Sequence, residues 1–204
     1  MNNSEKIAYF GYGSLVNLST LRTPYISAHK AQLKGWRRVW KARPSNDEIQ
    51  IDGVQVAFLS VERHADTTLE GLILIDHASS LPSLDQREAL YDRIVLQDGE
   101  ISEIPDSVSG QTSDLFVYQH KTDIMESKDA LILRSYLDAV AQGYLHHFGE
   151  DGLLRFQKTT RNFHLSILED RDAPIYPRPV ILEDDQLSVI DEVFPPHDTR
   201  AVIA

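Results

Sequence analysis

The order of strand-like and helix-like segments limits most strongly the folds that this chain can adopt. Segments rich in β-branched and aromatic residues dominate the first 120 positions, whereas helical patterns are concentrated after them. Strands that precede helices, rather than alternating with them, favour an α+β protein with a mostly antiparallel sheet or barrel. We predict one domain spanning 1–204, in which residues 121–204 form a helical C-terminal elaboration.

The strand predictions rest on short apolar runs that are bounded by polar, glycine-rich or proline-rich segments. A long polar segment, Asp98–Ser113, reads as a surface loop. The predicted strands are Lys6–Phe10, Leu33–Ala42, Val54–Glu62, Leu69–Ile75, Asp92–Gln97 and Leu115–His120.

Three helices are predicted. Ser83–Gln86 has the form of a capping box, which predicts a short helix beginning near Leu84. The longest helical pattern covers Lys128–Phe148, and Gly149 after it is a suitable C-terminal cap. A last short helix is predicted over Leu187–Phe194.

Charge and composition argue against several classes of partner. The chain has 31 acidic and 20 basic residues, a net charge of -11, so a nucleic-acid backbone would be repelled unless a local basic patch existed. One basic and aromatic cluster spans Trp36 to Arg43. Either its side chains stack on nucleic acid, or it is a strand whose tryptophans face the core and whose arginines face out. We favour the strand and predict no nucleic-acid partner.

Membrane, metal and disulfide chemistry are also disfavoured. No apolar run approaches the roughly 18 residues of a membrane span, and the N-terminus has no signal-peptide pattern, so we expect a cytoplasmic protein without a membrane partner. The chain has no cysteine, which excludes disulfides and thiolate nucleophiles. The neighbouring His146 and His147 would point about 100° apart on a helix, so we predict no metal site.

A glycine-rich turn, Gly11-Tyr12-Gly13-Ser14-Leu15, follows the first predicted strand directly. Successive backbone N–H groups in such a turn can converge on an anion or an oxyanion, and glycines let a ligand approach them. The alternative is a plain strand-to-loop turn, which is the commoner origin of this spacing. The spacing alone leaves both interpretations open.

Glu88 occupies a position where an amphipathic helix would normally carry leucine. In a helix that starts at Leu84, the side chains of Leu84, Glu88 and Tyr91 share one face. A buried carboxylate is costly unless it is paired or its pKa rises, so Glu88 is a candidate acid/base group. Two alternatives remain: a structural glutamate paired with an arginine, or a helix rotated so that Leu90 faces inward.

Several segments resemble the γ-glutamylcyclotransferase superfamily, which includes the ChaC-type and AIG2-like proteins. Tyr9–Leu15 resembles its YGSL segment, and Leu84–Tyr91 resembles the Leu-Asp-x-x-Glu segment that carries its catalytic glutamate. Leu69–Ile75 resembles the glycine-containing strand that precedes that helix. Farther along, Tyr176-Pro177-Arg178 is similar to a segment of some bacterial members.

The resemblance implies a small mixed, mostly antiparallel β-barrel with flanking helices. It also implies cleavage of a γ-glutamyl amide without a cofactor: the α-amine attacks its own γ-carbonyl and releases 5-oxoproline plus a free amine or amino acid. Glu88 would be the catalytic acid/base. The implied substrate-binding residues are those of the turn and one strand tyrosine: Tyr12, Gly13, Ser14, Leu15 and Tyr118.

The leaving group and the oligomeric state stay open at this point. Asn17 stands near a position where members that act on glutathione tend toward an aromatic residue, so glutathione is one candidate among other γ-glutamyl amides. The alternative function is a non-catalytic member that binds a small amino-acid-like ligand or a protein partner. Glu88 favours catalysis, because a pure binding module has no need of it.

Overall fold

The fold is organised by one sheet with helices packed against it. The computed structural model describes residues 6–22, 24–42, 51, 55–102, 115–121 and 130–196. Within them the sheet has nine strands. The strands are β1 (Lys6–Gly11), β2 (Ser27–Ala42), β3 (Val56–His77), β4 (Tyr91–Val95), β5 (Ile101–Ser102), β6 (Leu115–His120), β7 (Leu131–Leu133), β8 (Thr160–Arg161) and β9 (Ile167–Leu168), and the helices are α1 (Leu81–Arg87), α2 (Arg134–Lys158) and α3 (Asp184–Val193).

Two long antiparallel strands, β2 with 16 residues and β3 with 22, form the centre of the sheet. The sequence predicted a shorter β2 and two separate strands within β3, which is wrong. The polar residues between those two predicted strands are half-buried or exposed. The ladder with β2 continues on both sides of them, at Lys34↔Thr68 and Trp36↔Arg63, and residues 64–67 of β3 lie between these two pairs against the single residue Gly35 of β2. The register shifts between Lys34 and Trp36, where Gly35 adopts a φ of 77° that favours glycine.

The sheet order is β4-β6-β1-β3-β2-β5, and its long ladders are antiparallel. The parallel pairs are short and join β1 to β6, β2 to β8, β3 to β7 and β7 to β9. This confirms the predicted α+β class and the mostly antiparallel sheet. The barrel, however, is not closed: in the part of the chain that the structure describes, no pairing joins β4 to β5.

Helix α1 is displaced from its predicted place. It begins at Leu81, with Pro82 in its first turn, so the predicted start near Leu84 is wrong. Glu88 is its C-cap, and the Glu88 N–H donates to the Leu84 carbonyl at 2.9 Å. Tyr91 already belongs to β4, so Leu84, Glu88 and Tyr91 do not share a helical face. The Glu88 side chain therefore projects from the C-terminal end of α1 rather than from one face of the helix.

The long C-terminal helix also differs from its predicted bounds. Residues 128 and 129 lie outside the described residues, and Leu131–Leu133 is extended because it pairs with β3 and β9. α2 begins at Arg134 and continues to Lys158. Gly149, predicted as a C-terminal cap, instead interrupts it with a φ of 67° and a ψ of -170°. No helix of the described residues has the length and hydropathy to cross a membrane.

The predictions for the last helix and for the long polar loop also differ from the structure. α3 begins after Glu183, whose side chain and that of Gln186 form a capping box, three residues earlier than Leu187. The predicted loop Asp98–Ser113 contains the short strand β5, and its residues 103–113 lie outside the described residues.

Ion pairs hold the segment after α2 against that helix. The Arg134 side chain is fully buried, and it donates to the Glu169 carboxylate at 2.7 Å and to the Phe194 carbonyl at 2.9 Å. Arg171 joins α2 to α3, because it donates to Asp138 and Asp191, both at 2.7 Å. These contacts fix the position of the segment that follows α2 relative to that helix.

The buried carboxylate of Asp170 fixes the next stretch of chain. It accepts hydrogen bonds from the Ser135 N–H at 2.7 Å, from the Ser135 hydroxyl, and from the Ile175 N–H at 2.9 Å. The Tyr176 N–H in turn donates to the Ser135 Oγ at 3.2 Å. A carboxylate at the first turn of α2 satisfies a helix-terminal N–H that would otherwise lack a partner.

We expect Asp170→Ala to lower the free energy of unfolding by about 2–4 kcal/mol, because a buried N–H group, a partly buried N–H group and a buried hydroxyl lose their shared acceptor. Urea denaturation of the variant and the parent measures this loss. The exposed neighbouring carboxylate gives the control: Asp172→Ala is expected to stay within about 0.5 kcal/mol of the parent. A loss below about 1 kcal/mol in Asp170→Ala would contradict the structural role.

Candidate active site

The glycine-rich turn follows β1 and passes into a short 3-10 turn at Ser14–Val16. The first hydrogen bond of that turn runs from the Val16 N–H to the Gly13 carbonyl at 2.9 Å. The N–H groups of Ser14 and Leu15 therefore precede the first bonded amide of the turn. A Cβ on Gly13 would lie 3.1 Å from the Tyr136 hydroxyl oxygen, so glycine permits this close approach.

A buried arginine holds the turn from behind. Arg38 is 1% exposed, and its Nε donates to the Tyr12 carbonyl at 3.0 Å. The Tyr144 hydroxyl donates to the same carbonyl at 3.1 Å. Arg38 also donates to the Thr159 hydroxyl at 2.9 Å, to the Glu70 carbonyl and to the Tyr144 hydroxyl. Burial lowers the pKa of Arg38, and the contacts with Tyr144 and Glu70 raise it.

The prediction for the basic and aromatic cluster is therefore partly wrong. Trp36 and Trp40 are fully buried, as predicted for a strand. Arg37 is part-exposed and pairs with Glu62 at 2.6 Å. Arg38, predicted to face out, lies inside, because its buried charge is satisfied by hydrogen bonds on every side.

The turn and the end of α1 line one cavity of about 400 Å³. It lies between β3, β6, α2 and the segment around Tyr176, all of which contribute side chains to its wall. The structure thus brings together six predicted site residues from three separate parts of the sequence. They are Tyr12, Gly13, Ser14, Leu15, Glu88 and Tyr118.

The Glu88 carboxylate is largely buried, with 15% of its side chain exposed. Its Oε1 lies 3.1 Å from the Nε of Arg87. Burial raises the pKa of the Tyr12 hydroxyl well above its ordinary value, with smaller contributions from Tyr136 and Glu88. Tyr12 is therefore a neutral hydroxyl at physiological pH, and the Glu88 carboxylate lines the same cavity.

Tyr118 contributes its ring to the cavity wall and its backbone to the support of the turn, while its hydroxyl is engaged in a hydrogen bond. That hydroxyl donates to Asp85 Oδ1 at 2.7 Å, and Asp85 also lies 3.2 Å from Arg93. Burial and the Asp85 contact both raise the pKa of Tyr118. Its carbonyl accepts a hydrogen bond from the Tyr12 hydroxyl at 2.7 Å, so Tyr118 positions the turn as well as the wall.

Several lining residues were not selected from the sequence. Tyr136 packs edge-on against Tyr176 with a 5.0 Å centroid distance, and Arg87 and Arg178 complete that side. Tyr136 lies in the first turn of α2, where the sequence predicted an ordinary helix interior. The similarity of Tyr176-Pro177-Arg178 to bacterial members was a signal for the C-terminal contribution.

A second cavity of about 650 Å³ shares only Arg178 with the first. It contains none of the predicted site residues, and both His146 and His147 line it. Burial and the neighbouring His146 lower the pKa of His147. Among the described residues, no group of three or more His, Asp or Glu is placed to bind a metal ion.

Comparison with solved structures identifies the architecture. A γ-glutamyl cyclotransferase aligns with a TM-score of 0.57 at 12% identity, over 92% of this chain and 99% of that chain. An uncharacterized protein from Homo sapiens aligns with a TM-score of 0.55 at 15% identity, over 92% and 99%. YkqA from Bacillus subtilis aligns with a TM-score of 0.51 at 14% identity, over 75% of this chain and 53% of that chain.

Comparison by sequence finds no match: no family model and no curated protein matches the chain. At 12–15% identity, the structural agreement concerns the fold. The chain therefore has the fold of the γ-glutamyl cyclotransferase superfamily, which its YGSL and Leu-Asp-x-x-Glu segments predict.

Proposed function

We propose that the protein is a γ-glutamyl cyclotransferase-type enzyme of the cytoplasm that needs no cofactor. It cleaves a small γ-glutamyl amide by intramolecular aminolysis to 5-oxoproline plus a free amine or amino acid. The observation that carries the proposal is the shared cavity of the Glu88 carboxylate and the Ser14–Leu15 amides. A cavity of about 400 Å³ suits a ligand of amino-acid size.

Glu88 performs the proton transfers in this proposal. Its carboxylate accepts a proton from the substrate α-ammonium, whose pKa lies near ~8. The freed nitrogen attacks the γ-carbonyl carbon, a C–N bond forms, and negative charge collects on the oxygen. Protonated Glu88 then donates to the leaving nitrogen as the oxyanion collapses and the original amide bond breaks. The attacking nitrogen passes its second proton to the regenerated Glu88 carboxylate and from there to the released amine, which departs as an ammonium. The Arg87 guanidinium at 3.1 Å favours the ionised carboxylate that starts the cycle.

The turn supplies orientation and charge stabilisation. Its Ser14 and Leu15 N–H groups bind the substrate and face the developing oxyanion, where one donor is typically worth ~10²-fold or more in rate. Because the attack is intramolecular, holding the folded substrate conformer contributes an effective molarity of ~10⁵ M or more. Arg38 and Tyr144 keep the turn in place through the Tyr12 carbonyl.

A panel assay tests the reaction itself. Purified protein is incubated with γ-glutamyl amino acids, glutathione and γ-glutamyl amines, and 5-oxoproline is quantified by mass spectrometry. Formation of 5-oxoproline from at least one compound is expected. Binding of these compounds without any 5-oxoproline would instead support the alternative of a non-catalytic ligand-binding member.

We expect Glu88→Gln to lower kcat by about 10²-fold or more, because glutamine has nearly the same shape but cannot accept the ammonium proton. Steady-state 5-oxoproline formation measures this effect, and urea denaturation checks that the variant remains folded. Asp92→Asn, which neutralises an exposed carboxylate on β4, is the matched control and should leave kcat unchanged. A decrease below about tenfold in Glu88→Gln would place the base elsewhere.

The pH profile tests the same role independently. In the parent, kcat/KM should rise with pH on the acid side as Glu88 ionises, because only the carboxylate form accepts a proton. In Glu88→Gln this limb should disappear. The residual rate should then rise only near pH ~8, where the substrate ammonium ionises by itself. Identical acid limbs in the two proteins would show that the limb reports another group.

A further inference from the structure

The second cavity, of about 650 Å³, is separate from the one that contains Glu88, and the two have only Arg178 in common. One part of its wall is the segment that follows the glycine-rich turn, residues 17–20 and 22. The middle of α2, residues 178–181 and Gln186 in the first turn of α3 form the rest. Cavities of this size commonly hold small molecules, and the proposed reaction makes no use of this one.

The titratable groups in the wall of this second cavity are all basic. They are Arg22, Arg178, His146 and His147, and no Asp or Glu occurs among the described residues of the wall. The chain as a whole has a net charge of -11, because 31 acidic residues outnumber 20 basic ones. A wall with arginines and without carboxylates departs from this overall charge, and it therefore attracts an anion.

The protein itself does not neutralise the two arginines. Within the described part of the chain, neither forms an ion pair with a carboxylate. The exposed Arg22 donates from Nη2 to the Pro177 carbonyl at 2.8 Å, which brings it beside the residue that carries the second guanidinium. Both guanidinium charges stay uncompensated, and arginine binds phosphate oxygens with paired hydrogen bonds.

The neutral part of the wall is held by its own hydrogen bonds. Asn17 Nδ2 donates to the Ala139 carbonyl at 2.8 Å and to Gln142 Oε1 at 2.9 Å. Gln142 Nε2 donates to the Ile181 carbonyl at 2.9 Å. These bonds join the segment after the turn, α2 and the C-terminal segment, so the wall is preformed. Because the side-chain amides already have partners, the arginines and histidines are the groups that remain for a ligand.

An apolar surface adjoins these basic groups. Leu18, Val180 and Ile181 also line the cavity, and Ile181 is 89% exposed although it is a large hydrophobic residue. Binding sites for small molecules combine apolar walls with a few polar groups that orient the ligand. The wall therefore suits a ligand with an anionic group on a flat or apolar body, rather than a bare inorganic anion.

We propose that this cavity binds a small organic phosphate of about the size of a nucleoside monophosphate. Arg22 and Arg178 bind the phosphate group, and the imidazole of His146 adds a hydrogen-bond donor. Val180 and Ile181 contact the body of the ligand. A phosphate suits the site better than a single carboxylate, because its oxygens can accept from both guanidinium groups at once.

Calorimetry with three ligands tests the chemistry of the site. AMP carries a phosphate on a flat body, adenosine lacks the phosphate, and inorganic phosphate lacks the body. AMP is expected to bind with a Kd roughly tenfold or more below that of either of the others, the typical effect of a charged hydrogen bond. Absence of AMP binding at millimolar concentrations, or equal binding of AMP and either fragment, would overturn the proposal.

Two variants locate the bound nucleotide. Arg22→Gln removes one guanidinium group from an exposed position and should raise the Kd for AMP by roughly tenfold or more. Ile181→Glu places a carboxylate in the wall and should weaken AMP binding at least as much, because it repels the phosphate. Since Ile181 is exposed, the second variant keeps the test available if loss of the Pro177 contact disturbs the first.

Two control variants make the same charge changes outside the cavity. Arg155→Gln removes a positive charge from an exposed arginine of α2 that pairs with Glu70. Leu154→Glu adds a negative charge at an exposed position of the same helix. Neither residue lines the cavity, and both variants should keep the Kd for AMP within about twofold of the parent at physiological salt, where distant surface charges are screened.

Glu88→Gln distinguishes the two cavities and should bind AMP as the parent does. Unchanged AMP affinity in both Arg22→Gln and Ile181→Glu would mean that the nucleotide binds elsewhere, and the proposal would fail. Because the measurement is binding of a ligand outside the Glu88 cavity, its outcome is independent of whether the protein forms 5-oxoproline.

Discussion

The cavity depends on the hydrogen bonds that the fully buried guanidinium of Arg38 donates. From β2 it donates to the Tyr12 carbonyl in the turn and to the Glu70 carbonyl on β3. It also donates to the hydroxyl groups of Tyr144, within α2, and Thr159, the C-cap of α2. A buried charge that loses its partners typically costs about 3–5 kcal/mol, so these four elements are energetically tied. Because two buried donors hold the Tyr12 carbonyl, the start of the turn that lines the cavity is fixed in place.

The C-terminal part of the chain completes the site that the strand-rich part begins. Asp170 connects the first turn of α2 with the segment around Tyr176, and Arg171 ties α2 to α3. Tyr136 and Tyr176 consequently line the same cavity as a turn that is more than 100 positions away in the chain.

The sequence predicted the α+β class, the mostly antiparallel sheet and the glycine-rich turn, because strand patterns and the YGSL segment are local signals. Glu88 was selected for a partly wrong reason, since the helix ends at Arg87 and Glu88 projects from its C-cap. Arg38 was predictable in principle: Trp36, Arg38 and Trp40 share one face of a strand, and that face is buried. The meeting of Arg87 and Arg178 in the lining of the cavity was not predictable, because only tertiary packing brings α1 and the C-terminal segment together, and neither segment carries a local pattern that reports the other.

The charges of the cavity agree with the proposed chemistry. Proton transfer from the α-ammonium to Glu88 neutralises one positive and one negative charge, so the net charge of the complex does not change. New negative charge then develops on the γ-carbonyl oxygen, within a cavity whose water has been displaced by the substrate. Fixed dipoles and cations act strongly there, because they need no reorganisation. In the proposed reaction the turn amides lie next to that oxygen, and Glu88, protonated in the first step, lies beside the nitrogen that leaves.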